Sequence, residues 1–473
     1  MNIRKILGYA LGPIGSAAIG LVSLPLISWY FPAEDIGRIV LLQTISGILM
    51  VLFNLGLDQA YIREYYSADN KAALFKVVAA PPVVMILLFA AAIIFINPSW
   101  PSEKIFELDN AALGILSILF LVSLLLTRHI SLILRMQEKA VSFSLSQLTP
   151  KLAILLLVCL LIFSGHPTDS LALIGTYAVA QMAAVVILTI QTRKDLIAAA
   201  QAPFDPQLVK ATMGYGLPMV IGELAFLAFA SADRLLLKHL GTLSELGVYS
   251  MAVSFGAIAL IFQSVFSTIW SPLVFKWVKD NENLHKIGET SLMMTALMIV
   301  ILSAVGLSSP IITFFLPEQY APVQFILLSS ILFPLLYTLT EVSGIGINVV
   351  KKTWLITVIS LIALACQFTL LYLLVPTWGA RGAAISTAVS FWVLFILKTE
   401  ISALIWQKLP RKKLYLSTAA CVATCVAYTS IGNTQNYFLF ALLWLTAIAV
   451  VLMLYKNNIL SFVQSIKGRL KKS

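Results

Sequence analysis

The feature that most constrains this chain is a succession of apolar runs, each about 20 residues long, separated by short polar breaks. Runs of that length match the hydrocarbon thickness of a bilayer. Lipid offers no partner to a backbone N–H or C=O, so each run has to close its own hydrogen bonds as a helix. Fourteen spans are expected, at roughly 7–30, 38–60, 74–96, 111–133, 144–163, 170–190, 213–237, 247–270, 288–309, 324–349, 354–375, 380–404, 414–431 and 437–455. No loop between them could hold a soluble domain of even about 50 residues. Composition agrees: 11% of the residues are charged, against about 25% in a soluble domain, too few to cover the chain in water. A cytosolic enzyme, a nucleic-acid-binding module and a disordered regulator are thereby excluded. An all-α, polytopic membrane protein is what is left.

The formal net charge of +11 is read as basic residues retained on one side of the bilayer, not as a nucleic-acid surface. Alternating spans put 27 of the 32 lysines and arginines on the side shared by both termini. The other side receives Arg38, Lys104, Arg234, Lys238 and Arg381. This asymmetry places both termini in the cytoplasm. No cleavable signal is expected, because the apolar run after Lys5 is too long and lacks a small-residue cleavage site.

Three local resemblances recur in order. Tyr9-Ala10-Leu11-Gly12-Pro13 matches Tyr215-Gly216-Leu217-Pro218; Glu34-Asp35-Ile36-Gly37 matches Ser244-Glu245-Leu246-Gly247; Glu138-Lys139-Ala140 matches Lys351-Lys352-Thr353. The separation is nearly constant from one match to the next. Six spans per repeat make the two copies parallel, related by an axis along the membrane normal. The expected layout is an N-terminal six-helix lobe at 1–200, a second at 201–410, and two further helices with a basic cytoplasmic tail at 411–473. Two such lobes across a cleft form the body of an alternating-access carrier.

Helix breakers recur at matched places. The first span carries Gly8, Gly12, Ser16 and Gly20 at steps of four, a face that admits another backbone, and also Pro13 and Pro25. The seventh carries Gly214, Gly216, Pro218 and Gly222. Gly12, Pro13, Pro25, Gly216 and Pro218 are the expected hinge positions.

Ionisable groups inside spans cost about 2.5–3.5 kcal/mol each at mid-bilayer on insertion scales and so need a reason. Arg128, Lys151 and Arg63 are the expected contacts for an anionic substrate group; Glu223, Glu341 and Asp58 are the expected ion-coupling or gating carboxylates. The offset of the repeat sets Glu341 opposite His129, beside Arg128. His166, His239 and His285 read as solvated loop residues. Cys159, Cys366, Cys421 and Cys425 lie in apolar runs and act as small hydrophobes. Gly344-x-Gly346 reads as local helix flexibility. No phosphate loop, zinc-helix motif or C-x-x-C pair occurs, so no metal and no cofactor are expected and ATP is not the driving force.

Several of these segments resemble bacterial polysaccharide-biosynthesis membrane proteins, the lipid-linked oligosaccharide flippases of the Wzx type. They are Leu11-Gly12-Pro13, Ser23-Leu24-Pro25-Leu26, Glu34-Asp35-Ile36-Gly37-Arg38, Gly56-Leu57-Asp58-Gln59-Ala60-Tyr61-Ile62-Arg63-Glu64, Arg135-Met136-Gln137-Glu138-Lys139-Ala140, Leu246-Gly247-Val248-Tyr249-Ser250 and Gly379-Ala380-Arg381-Gly382-Ala383-Ala384. The resemblance runs from about residue 5 to 405 and implies the multidrug/oligosaccharidyl-lipid/polysaccharide exporter fold. It implies a cargo, an undecaprenyl-pyrophosphate-linked oligosaccharide repeat unit of O-antigen, capsule or exopolysaccharide, moved from the cytoplasmic to the periplasmic leaflet of the inner membrane. A polysaccharide polymerase and a chain-length regulator are its implied partners, beside the lipid bilayer. Twelve spans are more usual in that type; the extra pair resembles the lipid II flippase branch. The family has no universal binding signature, so it transfers no site residue. Competing readings are a drug or small-molecule antiporter on the same fold and a membrane-embedded glycosyltransferase or polymerase. The second is disfavoured by short outer loops whose main acidic cluster is Glu103, Glu107 and Asp109. A non-transporting scaffold is the remaining alternative.

Overall fold

The computed structural model describes residues 3–165, 168–280, 284–408 and 411–454. Its order is α1 (Ile3–Tyr30), α2 (Ala33–Asn54), α3 (Leu57–Glu64), α4 (Lys71–Ile96), α5 (Trp100–Phe106), α6 (Ala111–Met136), α7 (Ala140–Ser164) and α8 (Ser170–Gln201), followed by the long α9 (Pro206–Leu240). Then come α10 (Leu243–Phe255), α11 (Ala257–Asp280), α12 (His285–Ser308), α13 (Val323–Ser343), α14 (Gly346–Val349), α15 (Trp354–Ile405), α16 (Arg411–Ile431) and α17 (Tyr437–Leu454). Short 3-10 turns at Ser309–Phe314 and Glu318–Tyr320 separate α12 from α13. No strand occurs among the described residues.

Most expected spans lie on single helices, the last as far as Leu454, but three are interrupted: 38–60 at Leu55-Gly56, 247–270 at Gly256 and 324–349 at Gly344-Ile345. Among the described residues, ten helical stretches are long and apolar enough to cross a membrane, and α17 adds a shorter one. The 52-residue α15 carries two expected spans, divided where Gly379 leaves helical geometry (φ 50°, ψ −125°). The expected tail beyond Leu454 and His166 lie outside the described residues. His239 and His285 are exposed as expected, but they sit on the last turn of α9 and the first of α12, not in loops.

The chain forms two compact units, residues 1–231 and 232–473, divided inside α9. In the first, α1 lies along α7 through its glycine face. A Cβ on Gly8 would come within 3.0 Å of Ala140 Cβ, and one on Gly12 within 2.8 Å of Gln147 Oε1. The Ser144 hydroxyl donates to the Gly8 carbonyl at 2.5 Å. Gly20 takes no part in this contact, having no neighbour within 4 Å; Gly15, against Leu148, does. Close approach of this kind replaces the hydrophobic drive that lipid removes. In the second unit α16 and α17 pack on α12 and α13. Tyr428 anchors them, its hydroxyl 2.7 Å from Ser309 Oγ and its ring edge-on to Phe440 and Trp444.

One of the sequence matches coincides with a shared local geometry in each unit. After α6, Glu138 adopts a left-handed backbone (φ 56°), and after α14, Lys351 does the same (φ 60°). The Glu138 N–H donates to Arg135 O and the Lys139 N–H to Leu134 O; Lys351 and Lys352 donate to Asn348 O and Ile347 O. These are two Schellman caps with the same bond pattern, and they fall on the matched Glu138-Lys139 and Lys351-Lys352 pairs of the repeat. A second pair of fasteners holds the start of the helix after each lobe's first. In the first unit Ser170 donates to Asp35, which also pairs with Arg38 at 2.6 Å. In the second, Glu245, at Asp35's matched position, lies against Gly379.

Candidate functional site

The first unit contains a cavity of about 410 Å³, within the roughly 300–1,000 Å³ typical of small-ligand sites. Its cations come from two helices. Arg128 and Arg135 stand seven residues apart on α6, two turns on one face, and Lys151 follows Pro150 on α7. Pro150 has no N–H to offer the Ser146 carbonyl one turn earlier, which leaves a polar group on the same wall. Phe120 and Phe143 supply the apolar side, and Gln147 and Gln181 neutral hydrogen-bonding groups. Gln181 on α8 is tied to α6 by a 3.0 Å bond from its amide to Thr127 Oγ1.

Arg128 is held from behind. The wholly buried Asp58 on α3 accepts from Arg128 NH2 at 2.6 Å, and its carboxylate also takes the Gln59 backbone N–H at 2.8 Å. The Arg128 side chain remains 40% exposed and lines the cavity, with NH2 neutralised by Asp58 and Nε buried without a partner among the described residues. Lys151 is exposed and, among the described residues, has no ion-pair partner. Glu223 on α9 lies within electrostatic reach of both Asp58 and Arg128. The structure thus brings together Asp58, Arg128, Lys151 and Glu223. Arg135, counted in the sequence only among the basic residues of one side, joins them; its spacing from Arg128 was the available signal.

Arg63 does not line this cavity. It stacks over the Tyr215 ring at 4.3 Å, beside a backbone crossing in which a Cβ on Gly216 would lie 2.5 Å from Leu55 O. Gly214 and Gly222, by contrast, face open space. Pro13 and Pro25 lie within the continuous α1, and Pro218 within the continuous α9.

In the second unit Glu341 is half-buried beside Tyr337 and within electrostatic reach of Lys398. Lys398, grouped by sequence with the basic residues of one face, is buried in the helix bundle, with Nζ 3.3 Å from Thr340 Oγ1. Gly344 makes room for it: a Cβ there would meet Lys398 Cβ at 3.2 Å and Cε at 3.3 Å. Gly346 likewise gives its N–H to Ser402 Oγ at 3.1 Å. Gly344-x-Gly346 thus interrupts the helix between α13 and α14 and packs closely on α15. Asp233, which sequence reading passed over, is buried with Tyr249 donating to it and Thr387 Oγ1 at 3.4 Å. No group of three or more His, Cys, Asp or Glu among the described residues could hold a metal.

Residues 3–278 match the family model described as polysaccharide biosynthesis protein. Among solved structures, the chain is similar to the lipid II flippase MurJ in an inward closed conformation, with a TM-score of 0.68 and 14% identity over 97% of this chain and 100% of that one. It is also similar to a multidrug resistance MATE family transporter of the MOP superfamily. The inward-facing form has a TM-score of 0.58 at 13% identity over 85% of this chain and 96% of that one. The outward-facing form has 0.56 at 12% over 88% and 96%. At these identities the likeness establishes the fold. No curated protein sequence matches the chain.

Proposed function

Because this chain belongs to the polysaccharide biosynthesis protein family, we propose that it is a flippase for a polyprenyl-pyrophosphate-linked oligosaccharide, the undecaprenyl-linked repeat unit of O-antigen, capsule or exopolysaccharide. The observation that carries this reading is the cavity in which Arg128, Arg135 and Lys151 stand against an aromatic and aliphatic wall. A pyrophosphate esterified at both ends carries two negative charges and is rich in acceptor oxygens. Arginine meets such groups with paired N–H donors and lysine as a point charge. The apolar wall suits the first isoprene units, while the remaining tail stays in lipid. The cations also disfavour any positively charged cargo of the drug or small-molecule antiporter alternative.

On this reading the head enters from the cytoplasmic leaflet and leaves to the periplasmic leaflet of the inner membrane, with both termini cytoplasmic. Gly12, Pro13 and Pro25 in α1, and Gly216 and Pro218 in α9, absorb the bending that alternating access requires. Asp58 sets how much of the Arg128 charge is available to cargo. Proton or cation binding at Glu223, with Glu341 as its counterpart in the second unit, resets the cycle. Arg63, on its Tyr215 stack, meets the head at the mouth of the path. A polymerase and chain-length regulator then act on the delivered unit.

The test is depletion of the protein in its own cells, followed by the sidedness of lipid-linked saccharide. Accumulation on the cytoplasmic face, relieved by wild-type protein and not by Lys151→Ala, is the expected result. Normal polymer export without accumulation, together with altered drug sensitivity, would move the chain to the antiporter reading.

A further inference from the structure

The second unit holds a larger cavity, about 580 Å³, which the transport path as drawn does not use. It forms where α9 hands over to α10 and where α15 breaks, and Ser430 near the end of α16 closes it. Its carboxylate is fixed in place. Thr242 and Glu245 make a reciprocal capping box at the start of α10: Thr242 Oγ1 accepts from the Glu245 N–H at 3.2 Å, and Glu245 Oε2 from the Thr242 N–H at 3.0 Å.

The opposite wall is built around a missing side chain. Gly379 has a backbone that other residues rarely adopt (φ 50°, ψ −125°), and a Cβ there would fall 1.6 Å from Glu245 Oε1. Only glycine lets the carboxylate lie against this turn. Among the described residues Arg381 gives one hydrogen bond, from NH1 to the Ser430 carbonyl at 3.2 Å, and lies over the Phe325 ring. That leaves most of its five N–H donors for something in the cavity. Trp378, 46% exposed, forms the rim.

We propose that this cavity is a saccharide subsite that takes uncharged sugar rings on the Trp378 face, between the Glu245 carboxylate and the Arg381 guanidinium. An anionic head would meet Glu245, and a cationic one Arg381. A ring bearing hydroxyl and acetamido groups uses both, donating to one and accepting from the other. Indole supplies a rigid apolar surface for the C–H face of the ring. The loops involved are those that the charge asymmetry assigns to the non-cytoplasmic face. The subsite would therefore receive the sugar end of the cargo after crossing, and this placement rests on the flippase reading.

The experiment uses the full chain in lipid nanodiscs, with free chitotriose, maltopentaose and sialyllactose as probes, read by saturation-transfer NMR. A neutral probe is expected to bind, and sialyllactose about fivefold more weakly because its carboxylate faces Glu245. Trp378→Ala should weaken binding by about tenfold, Trp378→Phe by less than about threefold, and Glu245→Gln by about fivefold. Lys151→Ala, in the other unit, should leave it unchanged. Thermal unfolding of each variant checks that it is folded; if Trp378→Ala is not, Trp378→Phe and Glu245→Gln carry the decision. Absence of any neutral-probe signal, or equal signals from wild type and folded Trp378→Ala, overturns the proposal and leaves Trp378 as a headgroup anchor. Transfer of lipid-linked saccharide in liposomes is measured in parallel. Loss of transfer with sugar binding intact sinks the flippase reading alone, and the reverse sinks only the subsite.

Discussion

The two units treat buried charge in opposite ways. In the first, the Asp58 carboxylate is sealed and its partner Arg128 remains 40% exposed to a cavity that also holds Lys151. In the second, Asp233 is 4% exposed and Lys398 7%, each closed in by hydroxyl groups and a tyrosine. Backbone fasteners recur between the units with the same bond pattern, while the charges do not. The two units share a cap and distribute their buried charges unevenly: Arg128 reaches a cavity in the first, while Asp233 and Lys398 brace helix packing in the second.

The largest effect that would break this comparison is expected at the exposed pair. Arg128→Ala leaves the Asp58 carboxylate buried without a countercharge, a change that costs about 3–5 kcal/mol when both partners are sealed. With the guanidinium partly exposed, about 3 kcal/mol is expected, read as a lowered unfolding midpoint in detergent. Asp58→Asn combined with Arg128→Gln should recover more than half of that stability without restoring lipid-linked saccharide transfer. A wild-type midpoint for Arg128→Ala would mean that the pair does not hold α3 to α6.

Next in size is Gly379→Ala. The φ of 50° and the approach of Glu245 Oε1 together forbid a Cβ without movement of the α10 cap. A loss of about 2 kcal/mol is expected, typical of a strained backbone position. The matched fastener in the first unit is made by side chains, Asp35 with Arg38 and Ser170. Ser170→Ala there should cost only about 1 kcal/mol, the net worth of one hydrogen bond. Equal losses at the two sites would show that the fasteners are interchangeable.

A smaller, functional contrast separates the lysines. Lys151→Ala should weaken binding of a polyprenyl pyrophosphate about tenfold, or ~1.4 kcal/mol, with the loss shrinking as salt rises. Lys398→Met keeps the volume and apolar stem in the slot beside Gly344, so binding should stay within about twofold of wild type. If Lys398→Met lost binding as Lys151→Ala does, the buried cation of the second unit would be part of the cargo path.

Much of this was legible in the sequence, because lipid enforces helix and length alone marks a span. Glu138-Lys139 and Lys351-Lys352 are legible as a sequence match, but the left-handed caps they form are not, since neither carries the glycine that usually marks one. The cationic cavity was legible in part. Arg128 and Lys151 stand out inside apolar runs, but Arg135 lies at a helix end, where a basic residue is ordinary. Lys398 misled for the same reason: its burial depends on Gly344, far earlier in the chain, and no local pattern announces that slot. The sequence also carried Gly379 and Trp378 without marking a cavity, because Glu245 reaches Gly379 from α10, several helices upstream.

The smallest expected effect tests whether the duplicated caps are equivalent. Both Glu138 and Lys351 are held in left-handed geometry that costs a side-chain-bearing residue energy and glycine almost none. Lys351 is exposed, so Lys351→Gly should raise stability by about 0.5–1 kcal/mol, offset only slightly by the freer unfolded chain. Glu138 has a further interaction with its surroundings, so Glu138→Gly gives that up and should gain less than half as much. Paired unfolding curves of the two variants settle the point. A gain at Glu138 matching that at Lys351 would mean its side chain contributes nothing, and the two copies of the cap would then be energetically as well as geometrically the same.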